Sequence, residues 1–220
     1  MALAEIRYSA DEIAEKVADL AARVAVDLNG ERPVLVAVLK GSLIFMADLS
    51  RRLGMPADID FMIVSEFEGG GSHGVVRIIK DLEISIQDRD VVVVETIVDT
   101  GLTLSFLLRT LGTRGPRSLR VCALLDKPVR RIAQPPLDYV GFRTQEYLVG
   151  YGLDFKRRYR NLPYLVGVRD VPALAADPDA LWGMLETSGD GGVEISPRVS
   201  RTSSGTPKNA DSQELGPMLR

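Results

Sequence analysis

Apolar residues recur along this chain in two periods, and the change from one to the other marks its elements. Residues 91–94 are four consecutive valines, a run that reads as a strand covered on both faces. The run passes through Glu95, Thr96 and Asp99-Thr100-Gly101 into a stretch with Leu104, Leu107, Leu108 and Leu111 on one helical face. The same succession occurs earlier: an apolar strand over 34–39, the turn Lys40-Gly41-Ser42, then a helix over about 43–53. Before it, Ser9-Ala10-Asp11-Glu12 has capping-box spacing. The helix behind that box places Ile13, Val17, Leu20, Ala21 and Val24 on one stripe, and Gly30 stops it.

Further strands are expected at 59–65, 75–79, 119–125, 139–142, 147–149 and 164–168, with a weak closing helix at 177–185 that packs Trp182 inward. Gly69, Gly71 and Gly74 formally match a dinucleotide fingerprint, but that motif needs a helix next. Val75-Val76-Arg77-Ile78-Ile79 follows instead, so the glycines read as the crown of a mobile hairpin lid spanning about 65–80. His73, the one histidine, lies in that crown and reads as incidental. Strands alternating with helices predict an α/β fold whose parallel sheet core is flanked by helices. The hairpin and the late strands add antiparallel edges or a small cap. From about residue 186 Gly, Ser, Thr, Pro and charged residues displace apolar periodicity. We therefore expect one domain over 1–185 and a disordered tail over 186–220.

Composition narrows the function classes. The 220 residues are 45% hydrophobic, enough for a full core, yet no apolar run is long enough to span a bilayer. Residues 1–30 lack a basic segment followed by an apolar one, so no signal peptide is expected. The single Cys122 can form neither an internal disulfide nor a cysteine metal cluster, which fits a reducing, cytoplasmic setting. A net charge of −3 argues against nucleic acid as a partner, despite the basic run at 156–160.

The chemistry concentrates at strand ends. A strand, a short polar loop and a helix N-terminus make an anion site. Thr100 and Thr103 add hydroxyls there, and Gly101 permits close backbone approach. Carboxylates beside a phosphate cradle suit a sugar phosphate. Asp99 alone also reads as a simple helix N-cap. Lys40, residues 95–103 and Lys127 all follow strand ends, where ligands of open α/β sheets bind, so they converge on one cleft.

Here the residues resemble a known family. The valine strand with Glu95 and Ile97-Val98-Asp99-Thr100-Gly101-Leu102-Thr103 is similar to the signature of type I phosphoribosyltransferases. Val38-Leu39-Lys40-Gly41-Ser42, the lid with Val75–Asp81, Leu124-Leu125-Asp126-Lys127-Pro128, Val149–Asp154 and Tyr159–Tyr164 resemble, in order, the hypoxanthine-guanine branch. The resemblance covers roughly residues 5–170. It implies that a 6-oxopurine base displaces pyrophosphate from phosphoribosyl pyrophosphate, giving IMP or GMP in purine salvage. It implies that Asp99, Thr100, Gly101, Leu102 and Thr103 hold the 5′-phosphate, with Asp99 also the general base near the purine N7. Glu95 would meet ribose hydroxyls or a magnesium ion (Mg2+), and Asp154 a second one. Lys127 would donate to the 6-oxo group, discriminating against 6-amino purines. Tyr147 would stack on the base and Leu148 supply backbone contacts. Lys40, Gly41 and Arg160 would bind pyrophosphate, with a cis peptide at Leu39–Lys40. A homodimer or homotetramer is implied as well.

Two departures qualify the resemblance. The family pairs two acidic residues where Glu95 is followed by Thr96. Thr96 can still bond a ribose hydroxyl, but as a neutral partner, a loss of about 0.5–2 kcal/mol or roughly 2- to 30-fold in rate. The family's Ser-Tyr lid pair is replaced by Ser65-Glu66-Phe67. These departures motivate an alternative: a catalytically weakened nucleotide-binding or regulatory protein of the same fold.

Overall fold

A computed structural model describes residues 3–67 and 75–182. The crown of the expected lid, with His73, and the expected tail both lie outside the described residues. In chain order the elements are β1 (Ala4–Tyr8), α1 (Ala10–Leu28), β2 (Val34–Leu39), α2 (Leu43–Arg52), β3 (Asp58–Phe67), β4 (Val75–Lys80) and β5 (Asp90–Val98). Then come α3 (Leu102–Gly112), β6 (Ser118–Asp126), a 3-10 turn (Pro128–Arg130), β7 (Tyr139–Arg143), β8 (Tyr147–Val149), β9 (Leu165–Val168) and α4 (Val171–Ala176).

Six strands form one sheet in the order β4-β3-β2-β5-β6-β7. All neighbours in it run parallel except the β3–β4 hairpin. The valine run explains why β5 sits inside. Val92 and Val94 join a core with Ile13, Val17, Leu20 and Val24 of α1 and Phe45, Met46 and Leu49 of α2. Val91 and Val93 join the opposite core with Leu104, Leu107 and Leu111 of α3. A strand with apolar side chains on both faces is stable only between two helical layers. Each valine buried there contributes roughly 1.5–3 kcal/mol relative to exposure.

The capping box at Ser9 and Glu12 forms as expected, and the buried stripe of α1 is the expected one extended by Leu28. Its stop differs: Asn29 takes the left-handed position ahead of Gly30. The second sheet, in the order β1-β9-β8, is a small antiparallel hood. Its first strand escaped the sequence pattern because β1 is an edge strand whose middle residues are exposed. One further expectation is corrected. β7 is neither an antiparallel edge nor part of the hood; it pairs in parallel with β6 at the sheet margin. A loop and a 3-10 turn rather than a full helix make that crossover, which hides the parallel pairing from sequence periodicity. Helix α4, capped by Asp170, was too short to show a period. Of the expected closing helix over 177–185, residues 180–182 are helical among the described residues, and Trp182 packs on Tyr159 with ring centroids 5.3 Å apart.

Candidate active site

The sheet brings the carboxyl ends of β2, β5 and β6 to one edge of the molecule. At the end of β5 lies a cleft of about 230 Å³, lined by Glu95, Ile97, Val98, Asp99, Thr100, Gly101, Thr103 and Leu104. Gly101 is the N-cap of α3 at φ 77° and makes no side-chain cap of its own, the arrangement of a helix N-terminus that takes an anion from outside. Gly101 is required there for a second reason. A Cβ at this position would lie 2.3 Å from the Ala133 carbonyl. Asp99 is not the N-cap, which removes the bland reading of that residue. Leu102 is exposed on the first turn, and its amide donates to Thr100 Oγ1 at 3.4 Å.

The two carboxyls of the cleft differ. Asp99 Oδ2 lies 3.6 Å from Nη1 of the exposed Arg130. Its Oδ1 is buried and has no hydrogen-bond partner among the described residues. Buried acceptors are usually satisfied, so an orphan one on a residue that lines the cleft marks a place for a ligand donor. Burial pushes the Glu95 carboxyl up to about 8.

Lys127 follows β6, mostly buried, with its amide on the Val98 carbonyl at 2.9 Å. Its Nζ stands over the Tyr147 ring, 5.8 Å from the centroid. Tyr147 is 37% exposed, which leaves ring surface for a planar ligand. Leu148 is buried beside it and pairs with Gly167 across the hood.

Lys40 and Gly41 form the turn after β2, and the Leu39–Lys40 peptide is cis. Gly152 packs directly on this turn at φ 93°, where a Cβ would lie 2.1 Å from the Gly41 carbonyl. The Gly152 amide donates to the Arg160 carbonyl at 2.9 Å, while Arg160 Nη1 donates to the Gly152 carbonyl at 2.5 Å. Arg160 Nη2 pairs with Asp154 Oδ1 at 2.5 Å, and Asp154 Oδ2 accepts the Arg157 amide at 2.8 Å. The structure therefore gathers Lys40, Gly41, Asp154 and Arg160 at one place, with the last two satisfying each other.

Thr96 is where the geometry departs from expectation. It is 1% exposed, and its Oγ1 donates to the Gly41 carbonyl at 3.0 Å. Thr96 thus props the Lys40-Gly41 turn from below instead of offering its hydroxyl to a ribose in the open cleft. Sequence reasoning also missed Arg131. Its guanidinium, 7% exposed, donates through Nε to the Asp99 carbonyl at 2.8 Å and through Nη2 to the Val98 carbonyl at 3.0 Å. Nη2 also meets Asp126 Oδ1 at 2.5 Å. The only signal was an Arg130-Arg131 doublet shortly after Lys127, which on sequence alone reads as a solvated loop.

Comparison with known proteins decides the family. The family model for the phosphoribosyl transferase domain matches residues 8–156. The chain belongs to the phosphoribosyltransferase family. Within it, the chain is 51% identical over 156 residues to the hypoxanthine-guanine phosphoribosyltransferase of Mycobacterium avium, covering 70% of this chain and 74% of that one. The enzyme of that name from Streptococcus mutans is 44% identical over 166 residues, covering 74% and 92%. Among solved phosphoribosyltransferases, the hypoxanthine phosphoribosyltransferase of Staphylococcus aureus superposes with a TM-score of 0.73 at 41% identity, covering 77% of this chain and 92% of that one. The type I phosphoribosyltransferase fold of this chain is thus shared with structures of related sequence.

Proposed function

We propose that this phosphoribosyltransferase is a purine-salvage enzyme that joins hypoxanthine, and guanine, to phosphoribosyl pyrophosphate, releasing pyrophosphate and IMP or GMP. The observation that carries the residue-level reading is the orphan Asp99 Oδ1, held beside the N-terminus of α3.

In this reading the 5′-phosphate sits on the turn from Asp99 to Thr103, where the helix dipole and backbone favour an anion. The purine lies against Tyr147 with its 6-oxo group on Lys127 Nζ. N9 of the purine bonds to C1′ of the ribose, and the C1′–oxygen bond breaks with its electron pair leaving on pyrophosphate. The proton on N7 passes to Asp99 Oδ1, a transfer typically worth about 10²–10⁴ in rate. Lys40, the backbone of Gly41 and Arg160 take the departing pyrophosphate, the last in a bidentate manner that suits a guanidinium.

The donor set fits magnesium that arrives with the substrate. Among the described residues no group of three or more His, Cys, Asp or Glu side chains forms a metal cage. Mg2+ is commonly held by one or two carboxylates plus substrate phosphates and waters. Glu95, a desolvated carboxyl, and Asp154 would supply those carboxylates. The ion, when bound, neutralises the pyrophosphate leaving group. We further propose a cytoplasmic homodimer or homotetramer, consistent with the buried, thiol-form Cys122, which burial pushes up to about 12. No helix among the described residues is long and apolar enough to cross a membrane.

The alternative of a nucleotide binder without turnover leans on Thr96; the Thr96–Gly41 bond speaks against it, because it gives Thr96 a part in supporting the turn. Purified protein with phosphoribosyl pyrophosphate, magnesium and hypoxanthine is expected to form IMP. Absence of IMP above a no-enzyme control overturns the reading.

A further inference from the structure

We infer that Arg131 is a positioning residue that holds the purine subsite in register with the phosphate subsite. The inference rests on the function proposed above and assigns a part of its machinery to a side chain outside the family signatures. β5 and β6 are adjacent and parallel, with Val98 opposite Asp126. One strand end continues into Asp99 and the phosphate turn, the other into Lys127. A base bonded to both Lys127 and Asp99, and through its ribose to the phosphate turn, needs those two ends at a fixed separation.

The Lys127 amide ties the two ends once, at the Val98 carbonyl, 2.9 Å away, and Arg131 adds a side-chain brace across the same junction. Its guanidinium bonds the Val98 and Asp99 carbonyls on one side and the Asp126 carboxylate on the other. The arginine is nearly buried at 7% side-chain exposure and Asp126 at 10%, so both ends of the brace are withdrawn from water. Asp126 has a second cation, Arg143, but at 3.6 Å and with Arg143 81% exposed. A solvated pair of that kind holds little. The chain around Arg131 is fixed to the same turn: the Ile132 and Ala133 amides donate to the Thr100 carbonyl at 2.8 and 3.0 Å. Backbone bonds therefore secure the segment to the phosphate side, and the Arg131 side chain carries the connection from it to Asp126. A planar guanidinium with donors on two edges suits such a three-way brace better than an ammonium would.

IMP and ribose 5-phosphate separate this role from general support, because both carry the same phosphate and only IMP reaches Lys127. Calorimetric titration of Arg131→Met should weaken IMP at least tenfold while ribose 5-phosphate stays within threefold, and kcat should fall by a similar factor. Arg131→Lys should recover part of the IMP loss. If Arg131→Met does not fold, Asp126→Ala removes the far end of the brace while leaving the phosphate-side bonds, and the same selective loss is expected. Equal weakening of both ligands, or no change in either, overturns the inference. Failure of the parent protein itself to bind IMP would instead overturn the proposed function.

Discussion

The two halves of the cleft are made in different ways. The phosphate half is one continuous piece of chain: strand β5, a turn and helix α3, anchored between two cores by Val91 to Val94 and Leu104, Leu107 and Leu111. The proposed pyrophosphate half is assembled from turns that do not stand on their own. Tyr151, Lys156, Arg157 and Tyr159 all have positive φ without being glycine. Such conformations cost on the order of 1 kcal/mol or more each and persist where surrounding contacts enforce them. Those contacts are tertiary: Tyr151 hydroxyl on Asp48 at 2.6 Å, Arg158 on Asp179 at 2.6 Å, Tyr159 against Trp182. Anion binding can thus be built from local rules on one side of a ligand and from long-range packing on the other.

Substitutions can pull the two halves apart, and the largest effect belongs to the local one. Asp99→Asn preserves shape and removes the proton acceptor; kcat for IMP formation should drop about 10²- to 10⁴-fold with IMP affinity nearly unchanged. A drop below threefold would show the base lies elsewhere. Next comes Lys127→Ala, which deletes a charged donor worth about 1.5–3 kcal/mol, or roughly 10- to 150-fold. Steady-state kinetics should place that loss in kcat/KM for hypoxanthine, with the KM for phosphoribosyl pyrophosphate largely kept.

The pyrophosphate half should respond more gently and more diffusely. Arg160→Lys replaces a planar fork by a point charge and also frees Asp154. Product inhibition should then report pyrophosphate bound about tenfold more weakly, because an ammonium cannot grip the anion along two parallel N–H bonds. The smallest effect is expected at Thr96, the side chain that joins the halves. Thr96→Val leaves the Gly41 carbonyl without its donor, about 0.5–1.5 kcal/mol, read as a roughly two- to tenfold rise in KM for phosphoribosyl pyrophosphate. Thr96→Asp is the stricter variant. If Thr96 faced the ribose, a carboxylate there would speed the enzyme; with the hydroxyl committed to Gly41, the variant should be no faster than the parent.

The same contrast explains how much was legible before any coordinates. The valine run, the Asp99–Thr103 turn and the α1 stripe carry their structure in neighbouring residues, so strand, turn and helix followed from periodicity. Lys127 was reached by its place after a strand end, whereas Tyr147 and Arg160 were named through motif order alone, because each depends on partners far along the chain. β1, β7's parallel pairing and Arg131 were not legible. An exposed edge strand has no apolar alternation, a loop crossover carries no helical period, and an arginine bonded to the distant Val98 and Asp99 carbonyls looks the same in sequence as one in water. The Thr96–Gly41 bond was hidden for the same reason: the two residues are 55 apart in sequence.

If one cleft unites the α3 phosphate turn with a purine pocket that reads the 6-position, the choice among bases exposes it. Purified protein is supplied with phosphoribosyl pyrophosphate, magnesium and, in separate reactions, hypoxanthine, guanine and adenine, and nucleotide formation is followed. IMP and GMP should form, with no AMP above background, since Lys127 offers a donor where adenine also presents one. AMP formed as readily as IMP, or no nucleotide from any base, would refute a 6-oxopurine pocket joined to the phosphate turn.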